Sequence, residues 1–346
     1  MIPDSISIGR RLIGDGHPSF LIAEIGSNHN HDFDLARRMI DAAAAARVDA
    51  VKFQTFRASE HYSRFTPGFS YLDDGNTFEL IQSLELDRSW QEPLMRHAEG
   101  AGVEFFSSPC DSAAIRELAA LNVPAMKVAS FDLTDQTLIG EMAQTMKPMI
   151  LSTGMASQLE ITAALSACRN AGNDHIVLLQ CTSLYPAPAH LSNLKAMSEM
   201  RETFSVHVGY SDHTTGDHVA IAAVAMGARV IEKHFTIDRS LPGPDHSFAI
   251  EPAELEQMVR SIREVEDAFG DGRKDGPRAE EREMYDKGRR SLHASTDIEA
   301  GEIITAEKVI AKRPGLGISP LDIASLVGKR ATTCIKRDQW ITWDMV

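Results

Sequence analysis

Two histidines stand at matching places in the chain: His213 in GYSDHT and His234 in VIEKHFT, each following a short apolar, β-branched run. Imidazoles that leave adjacent strands at one rim, with Asp212, Glu232 or Asp245 as a nearby carboxylate, suit a divalent metal that keeps open positions for water and substrate. A lone histidine there is more often a hydrogen-bonded core residue; the matched pair favours the metal. Two lysines are placed comparably, Lys52 in AVKFQTF and Lys127 in PAMKVAS, and hydroxyls end or follow neighbouring runs at Ser108, Ser130 and Ser152. Cations and hydroxyls in one mouth hold a phosphate and a carboxylate together, so a small anionic ligand is expected. No P-loop or G-x-G-x-x-G follows a strand, and Gly270, Gly272 and Gly276 fall at or in a charged linker, which argues against a nucleotide.

The elements that must position these residues are eight strand-like runs alternating with helical periodicity: 20–24, 50–54, 103–107, 125–128, 149–152, 176–179, 206–210 and 230–234. Helical stretches include 34–46, 112–120, 159–171 and 252–269. Eight βα units in about 250 residues match a (β/α)8 barrel better than a doubly wound sheet. Strand alternation then makes a test. Ile22 and Glu24 share a face, as do Ala50, Lys52 and Gln54, and so do Val230, Glu232 and His234, while Lys127 and Ser152 take the equivalent places in their strands. For one strand, a structural ion pair explains such a residue. Five strands agreeing point to a site, because charges buried in a barrel mouth are costly unless pairing or function retains them.

At 43% hydrophobic and 24% charged residues, the 346-residue chain is ordinary globular protein, which excludes disorder and fibres. Its net charge of -14 and lack of Lys/Arg clusters argue against nucleic acid. Residues 271–346 hold 14 basic and 13 acidic side chains, leaving 21 and 36 for residues 1–270, so the first body carries the acidity. No apolar run approaches the ~20 residues of a membrane span and no signal-peptide pattern is seen, so a cytoplasmic protein is expected. The four cysteines contain no C-x-x-C pair and read as reduced thiols. The expected division is a barrel over 1–270, a Gly- and charge-rich linker over 271–288, and a small β-rich domain over 289–346. That last segment is too small to bury much core alone and should pack on another surface. Residues 6–13 read as a hairpin closing the barrel bottom, and Asn28 and His29 as bordering the site.

The runs FLIAEIGSNHN, AVKFQTF, FFSSPCD, PAMKVAS, KPMILSTGM, LLQCTSLYPAP, VGYSDHT and VIEKHFTIDRSLPGPD resemble, in order, the motifs of sialic acid synthases and their bacterial relatives that make other nonulosonic acids. The tail from RSLHASTDIEAGEIITAEKVIAKRPGLGISP to Val346 resembles the antifreeze-like (SAF) domain that follows the barrel in that family. The resemblance implies condensation of phosphoenolpyruvate with the open-chain form of an N-acetylated amino sugar, releasing phosphate and yielding a nine-carbon 2-keto acid. It implies a divalent ion such as Mn2+ on His213 and His234, phosphoenolpyruvate held by Lys52, Lys127, Ser108, Ser130 and Ser152, and Glu24 as acid/base. It further implies substrate contacts from Gln54, Ser183, Tyr185, Ser211 and Asp245, and a homodimer in which Arg313 of KRPG reaches the partner's sugar.

The sequence also departs from sialic acid synthases. Ser130-Phe131-Asp132 replaces their Ser-Gly-Glu, which leaves the role of Asp132 in catalysis open, and Ser183 replaces an asparagine. The Ser-Phe-acidic form is closer to pseudaminic acid synthases, whose substrate is a 2,4-diacetamido-2,4,6-trideoxy-altrose. The sialic and legionaminic branches, using N-acetylmannosamine or 2,4-diacetamido-2,4,6-trideoxymannose, are the alternative. A class I aldolase with Lys52 or Lys127 as Schiff base, and a sugar- or ice-binding protein with a dead barrel, are the competing classes.

Overall fold

The computed structural model describes residues 2–68 and 76–346, and the chain divides into two compact units, Met1–Gly270 and Asp271–Val346. The first opens with a hairpin of β1 (Ser5–Ile8) and β2 (Arg11–Gly14), paired antiparallel. Eight strands follow: β3 (Phe20–Gly26), β4 (Ala50–Thr55), β5 (Glu104–Pro109), β6 (Met126–Val128), β7 (Met149–Ser152), β8 (Ile176–Cys181), β9 (His207–Asp212) and β10 (Val230–His234). They form one ladder in the order β5-β4-β3-β10-β9-β8-β7-β6, parallel throughout. β5 and β6, its two ends, are also neighbours, so the sheet closes on itself as an α/β barrel. Strands covered on both faces need apolar residues at nearly every position, which is why they read as continuous runs such as FLIAEIG.

The expected strands are all present. β3, β4, β5, β8 and β9 run one or two residues further at their C-terminal ends, where backbone pairing continues through polar positions such as Gln54, Ser108 and Asp212. Several of the helices between strands start on side-chain caps, whereas Gln91–Ala101, Ala196–Phe204 and His218–Ala225 do not. Asp32 accepts from Leu35 N–H at 3.0 Å, Asp111 from Ala114 N–H at 2.8 Å, and Ser157 and Glu160 form a reciprocal box. These caps fix where the loops after β3, β5 and β7 end.

Ile6, Ile8 and Ile13 of the hairpin are fully buried, each contributing roughly 1.5–3 kcal/mol of apolar burial. Arg10 pairs with Glu104 at 3.0 Å and Arg11 with Asp49 at 2.9 Å, beside the N-terminal ends of β5 and β4. The hairpin therefore seals the rim opposite the strand ends that carry the chemistry.

In the second unit, β11 (Ser291–Ala294) pairs antiparallel with β12 (Val309–Lys312). The β-like run at 303–305 forms only an isolated bridge, Ile303 to Arg330. Despite its size this unit has a core of its own, built from residues that include Leu292, Ile298, Ile304, Ile318, Leu326, Ile335 and Ile341. The stretch read as linker carries a helix, Arg282–Gly288, supported on its exposed face by Arg282–Asp286 at 3.0 Å and Glu283–Lys287 at 2.8 Å. Such i,i+4 pairs stabilise a helix without any apolar stripe, so hydrophobic periodicity does not reveal it. No described helix is long and apolar enough to cross a membrane.

Candidate active site

The C-terminal ends of the barrel strands surround a cleft open to solvent. At its floor four charges meet. Lys52 Nζ lies 2.8 Å from Glu24 and 3.6 Å from Glu232, and Lys127 Nζ lies 3.7 Å from the other oxygen of Glu232. All four side chains are buried. The ladder brings them together: Glu24 is level with Lys52 in the β3–β4 register and with His234 in the β3–β10 register.

Hydroxyls and an amide complete the ring. Lys52 donates to Ser108 Oγ at 3.2 Å, Lys127 to Ser152 Oγ at 2.7 Å and to the Val128 carbonyl at 2.9 Å. Ser211 donates to Glu232 at 2.9 Å, and Gln54 Nε2 to Glu24 at 2.8 Å. Ser130 Oγ accepts from the Gly154 amide at 3.1 Å.

Burial sets the protonation of this cluster. It pushes the Glu24 carboxyl up to about 7, with repulsion from Glu232 adding to the rise and Lys52 opposing it. Burial also works to raise Glu232, but the two lysines, Lys127 first, hold it below the ordinary carboxylate range. Burial and the nearby Lys52 charge lower Lys127, whereas in Lys52 the pull of Glu232 and Glu24 outweighs burial and raises it. Glu24 is thus the member whose proton is exchangeable near neutral pH.

Beside the cluster stand the two histidines, ring centroids 5.2 Å apart. His213 Nδ1 lies 2.8 Å from the Thr182 carbonyl and so donates to it, which in the neutral ring puts the lone pair on Nε2; burial works to lower the His213 pKa, but Cys181 and the Thr182 carbonyl raise it above its ordinary value. His234 is buried, and its Nδ1 has no hydrogen-bond partner among the described residues; Asp245 Oδ2 lies 3.5 Å away. Burial holds His234 well below its ordinary pKa, so it is a neutral donor, and raises the Asp245 carboxyl to about 6. An orphaned imidazole nitrogen, a second imidazole oriented by a carbonyl and an adjacent carboxylate fit a divalent cation. Tyr185 stacks on His213, centroids 4.2 Å apart, and with Phe248 walls the pair.

Of the residues singled out in the sequence, Glu24, Lys52, Gln54, Ser108, Lys127, Ser130, Asp132, Ser152, Tyr185, Ser211, His213, His234 and Asp245 all line this cleft. Ser183 does not line it; its hydroxyl is buried against Gly154 without a hydrogen-bond partner among the described residues. Arg313 belongs to the second unit, directly before Pro314. Asn28 and His29 turn away from the cleft. Asn28 donates to the Phe235 carbonyl at 3.0 Å, and His29 is buried between Phe53 and Trp90. Asp212 also leaves the set of candidate ligands, because it faces outward and pairs with Lys233 at 2.8 Å. Sequence reading missed the bridging role of Glu232, which alternation places on the Glu24–Lys52 face, and missed His61, Cys110 and the wall of Phe56, Leu80, Ile81 and Leu84.

Residues 39–274 match the NeuB family, and residues 289–346 match the SAF domain. The chain belongs to the NeuB family. It is 40% identical over 330 residues to the N,N'-diacetyllegionaminic acid synthase of Campylobacter jejuni, covering 93% of this chain and 98% of that one. It is 34% identical over 333 residues to the pseudaminic acid synthase of Helicobacter pylori, covering 94% and 97%. The crystal structure of N-acetylneuraminic acid synthetase from Leptospira borgpetersenii, in complex with citrate, superposes with a TM-score of 0.73 at 34% identity, covering 81% of this chain and 94% of that one. These three relatives are named as synthases of three different nonulosonic acids.

Proposed function

We propose that this protein condenses phosphoenolpyruvate with the open-chain aldehyde of an N-acetylated amino sugar, releasing phosphate and giving a nine-carbon 2-keto acid. The observation that carries the reading is the buried Lys52–Glu232–Lys127 bridge, ringed by hydroxyls and lying beside a histidine pair. Lys52 and Lys127 offset the charges of phosphoenolpyruvate, and Ser108, Ser130, Ser152 and Ser211 donate to its oxygens. Glu232 keeps both lysines protonated and aimed before the anion arrives. Gln54, Tyr185 and Asp245, which line the cleft, position the sugar so that its aldehyde carbon meets C3 of phosphoenolpyruvate; Ser183, buried behind Gly154, is not assigned a contact.

His213 and His234 would hold a divalent cation, manganese on the family resemblance, which when bound polarises the aldehyde oxygen. Glu24, its carboxyl raised to about 7, donates a proton to the new hydroxyl as the carbon–carbon bond forms. Its carboxylate then takes a proton from the water that adds at C2, and the tetrahedral intermediate expels phosphate by C–O cleavage. Asp132, on the opposite wall, is the second carboxylate available to the leaving phosphate's proton. Arg313 is read as the contact from a partner copy to the N-acyl group of the sugar, and a homodimer follows from that reading.

The sugar is proposed to be a 2,4-diacetamido-2,4,6-trideoxyhexose. Phe131 of Ser130-Phe131-Asp132 lines the cleft half-exposed, which supports a substrate with fewer hydroxyls. The local motif favours the altrose isomer and hence pseudaminic acid. The higher full-length identity to the legionaminic relative favours the mannose isomer as a second reading. A direct test is consumption of phosphoenolpyruvate and sugar together, followed by mass spectrometry of the keto acid, with and without chelator. Loss of turnover on chelation and its return with Mn2+ support the proposal. Turnover that survives chelation and is trapped by borohydride on Lys52 or Lys127 replaces it with a Schiff-base aldolase.

A further inference from the structure

Across the mouth from the histidine pair, a second group of metal-binding side chain types converges. His61 ends the short helix Ala58–His61 after β4, Cys110 follows β5 directly, and Asp132 ends the 3-10 turn after β6. The Cys110 sulfur lies 3.7 Å from Asp132 Oδ2, His61 Nδ1 lies 3.9 Å from Asp132 Oδ1, and one ligand atom from each residue falls within 4.8 Å of the other two. All three side chains line the cleft, and none is fully exposed.

His61 and Asp132 are beyond hydrogen-bond range, and the Cys110 thiol makes only long contacts, to Asp132 at 3.7 Å and to the Ser108 carbonyl at 3.8 Å, so the three groups meet with weak hydrogen bonding among them and at spacings suited to coordination. In a tetrahedral zinc site, with bonds of about 2.0–2.3 Å, ligand atoms stand roughly 3.3–3.8 Å apart. The Cys110–Asp132 spacing already lies in that range. His61 has to move by about 1 Å or less, and it sits on a four-residue helix rather than on a barrel strand.

We infer that His61, Cys110 and Asp132 form a second cation site, selective for zinc-like ions that accept thiolate, imidazole and carboxylate, and separate from the His213–His234 pair. Binding forms one metal–sulfur, one metal–nitrogen and one metal–oxygen bond, and the Cys110 thiol proton passes to solvent. Three protein ligands leave a fourth position facing the cleft, open to water or to an oxygen of a bound ligand. Hard ions such as Mg2+ or Ca2+ are disfavoured by the thiolate. The inference does not depend on the proposed reaction, because it concerns binding alone.

The test uses the full-length protein stripped of metal and titrated with Co2+, reading the thiolate-to-cobalt charge-transfer band. Cys181 lies 3.7 Å from His213 Nδ1 and is the thiol that confuses the reading, so Cys181→Ala is titrated in parallel. The band is expected in the wild type and in Cys181→Ala, absent in Cys110→Ala, and weakened at least tenfold in apparent affinity in His61→Ala. Each equivalent bound is expected to release one proton that Cys110→Ala does not release. A band that persists in Cys110→Ala, that disappears in Cys181→Ala, or that never forms in the wild type overturns the inference. Should Cys110→Ala fail to fold, His61→Ala decides alone, with unchanged Co2+ affinity as the overturning result.

Discussion

Replacing Glu232 by glutamine keeps the shape of the side chain and its contact with Ser211 but removes the charge between the two lysines. At 3.6 and 3.7 Å, each lysine attracts Glu232 by about 4–5 kcal/mol before desolvation at an effective dielectric constant near 20. Removing one partner from a buried charge cluster typically costs about 3–5 kcal/mol, because a charge is left uncompensated. Lys52 keeps Glu24 at 2.8 Å, while Lys127 has no other carboxylate within ion-pair range among the described residues, so the lower end, about 3 kcal/mol, applies. For a barrel of this size that is a fall of roughly 6–12 °C in the melting midpoint. Burial already lowers the pKa of Lys127, so the fall should shrink as pH rises and this lysine gives up its proton. Phosphoenolpyruvate brings its own negative charge to the same place, so it should raise the midpoint of Glu232→Gln more than that of the wild type. Thermal melts followed by circular dichroism, with and without phosphoenolpyruvate at two pH values, measure all of this. A midpoint within about 1 °C of wild type, or an equal rise with ligand, would refute the bridging role and the placement of the anion there.

The other predictions address single contacts. In Gly154→Ala the new methyl would meet Ser183 Oγ and lie 2.9 Å from Ser130 Oγ, so both hydroxyls must turn; KM for phosphoenolpyruvate should rise about tenfold or more while the fold survives. Unchanged kinetics would remove the Ser130 hydroxyl from the site. Gln54→Leu takes a hydrogen bond from the ionised form of Glu24, so the pH–rate limb near 7 should move to higher pH, and Glu24→Gln should abolish turnover. Since the folded-state pKa of Glu24 is raised, its contribution to stability is present below about 4.5 and is lost as pH rises through about 7; Glu24→Gln should flatten that part of the stability curve. Arg313→Ala should weaken sugar binding more than phosphoenolpyruvate binding, as measured by separate KM values, and equal loss would remove its assigned contact.

Much of the barrel is legible because strands buried on both faces announce themselves as β-branched runs, and alternation within them separates Glu24, Lys52 and Glu232 from their outward neighbours. That argument weakens past the strand ends. Asp212 looks like a candidate ligand by proximity to His213, yet it sits one position off the inward face and is neutralised by Lys233. Asn28 and His29 follow β3 closely, but the chain turns after Gly26, which has positive φ, and carries them into a packed loop against Phe53 and Trp90. Glu232 reads as a metal-side carboxylate because sequence gives the face of a strand but not which cation across the barrel reaches it. The pairing of Lys52 and Lys127 around it depends on the register of four strands. His61 and Cys110 carry no periodic signal at all; only loop geometry brings them to Asp132. The helix at 282–288 is held by charge pairs, to which apolar periodicity is blind.

The central claim is most directly tested by phosphate release from phosphoenolpyruvate with Mn2+-loaded protein, run in parallel with the 2,4-diacetamido-2,4,6-trideoxy-altrose, the corresponding mannose isomer and N-acetylmannosamine. The account predicts sugar-dependent release, fastest with one of the two diacetamido sugars and lost when Lys127 is replaced by methionine. Release that needs no sugar, or no release with any of the three from folded, metal-loaded protein, would contradict it.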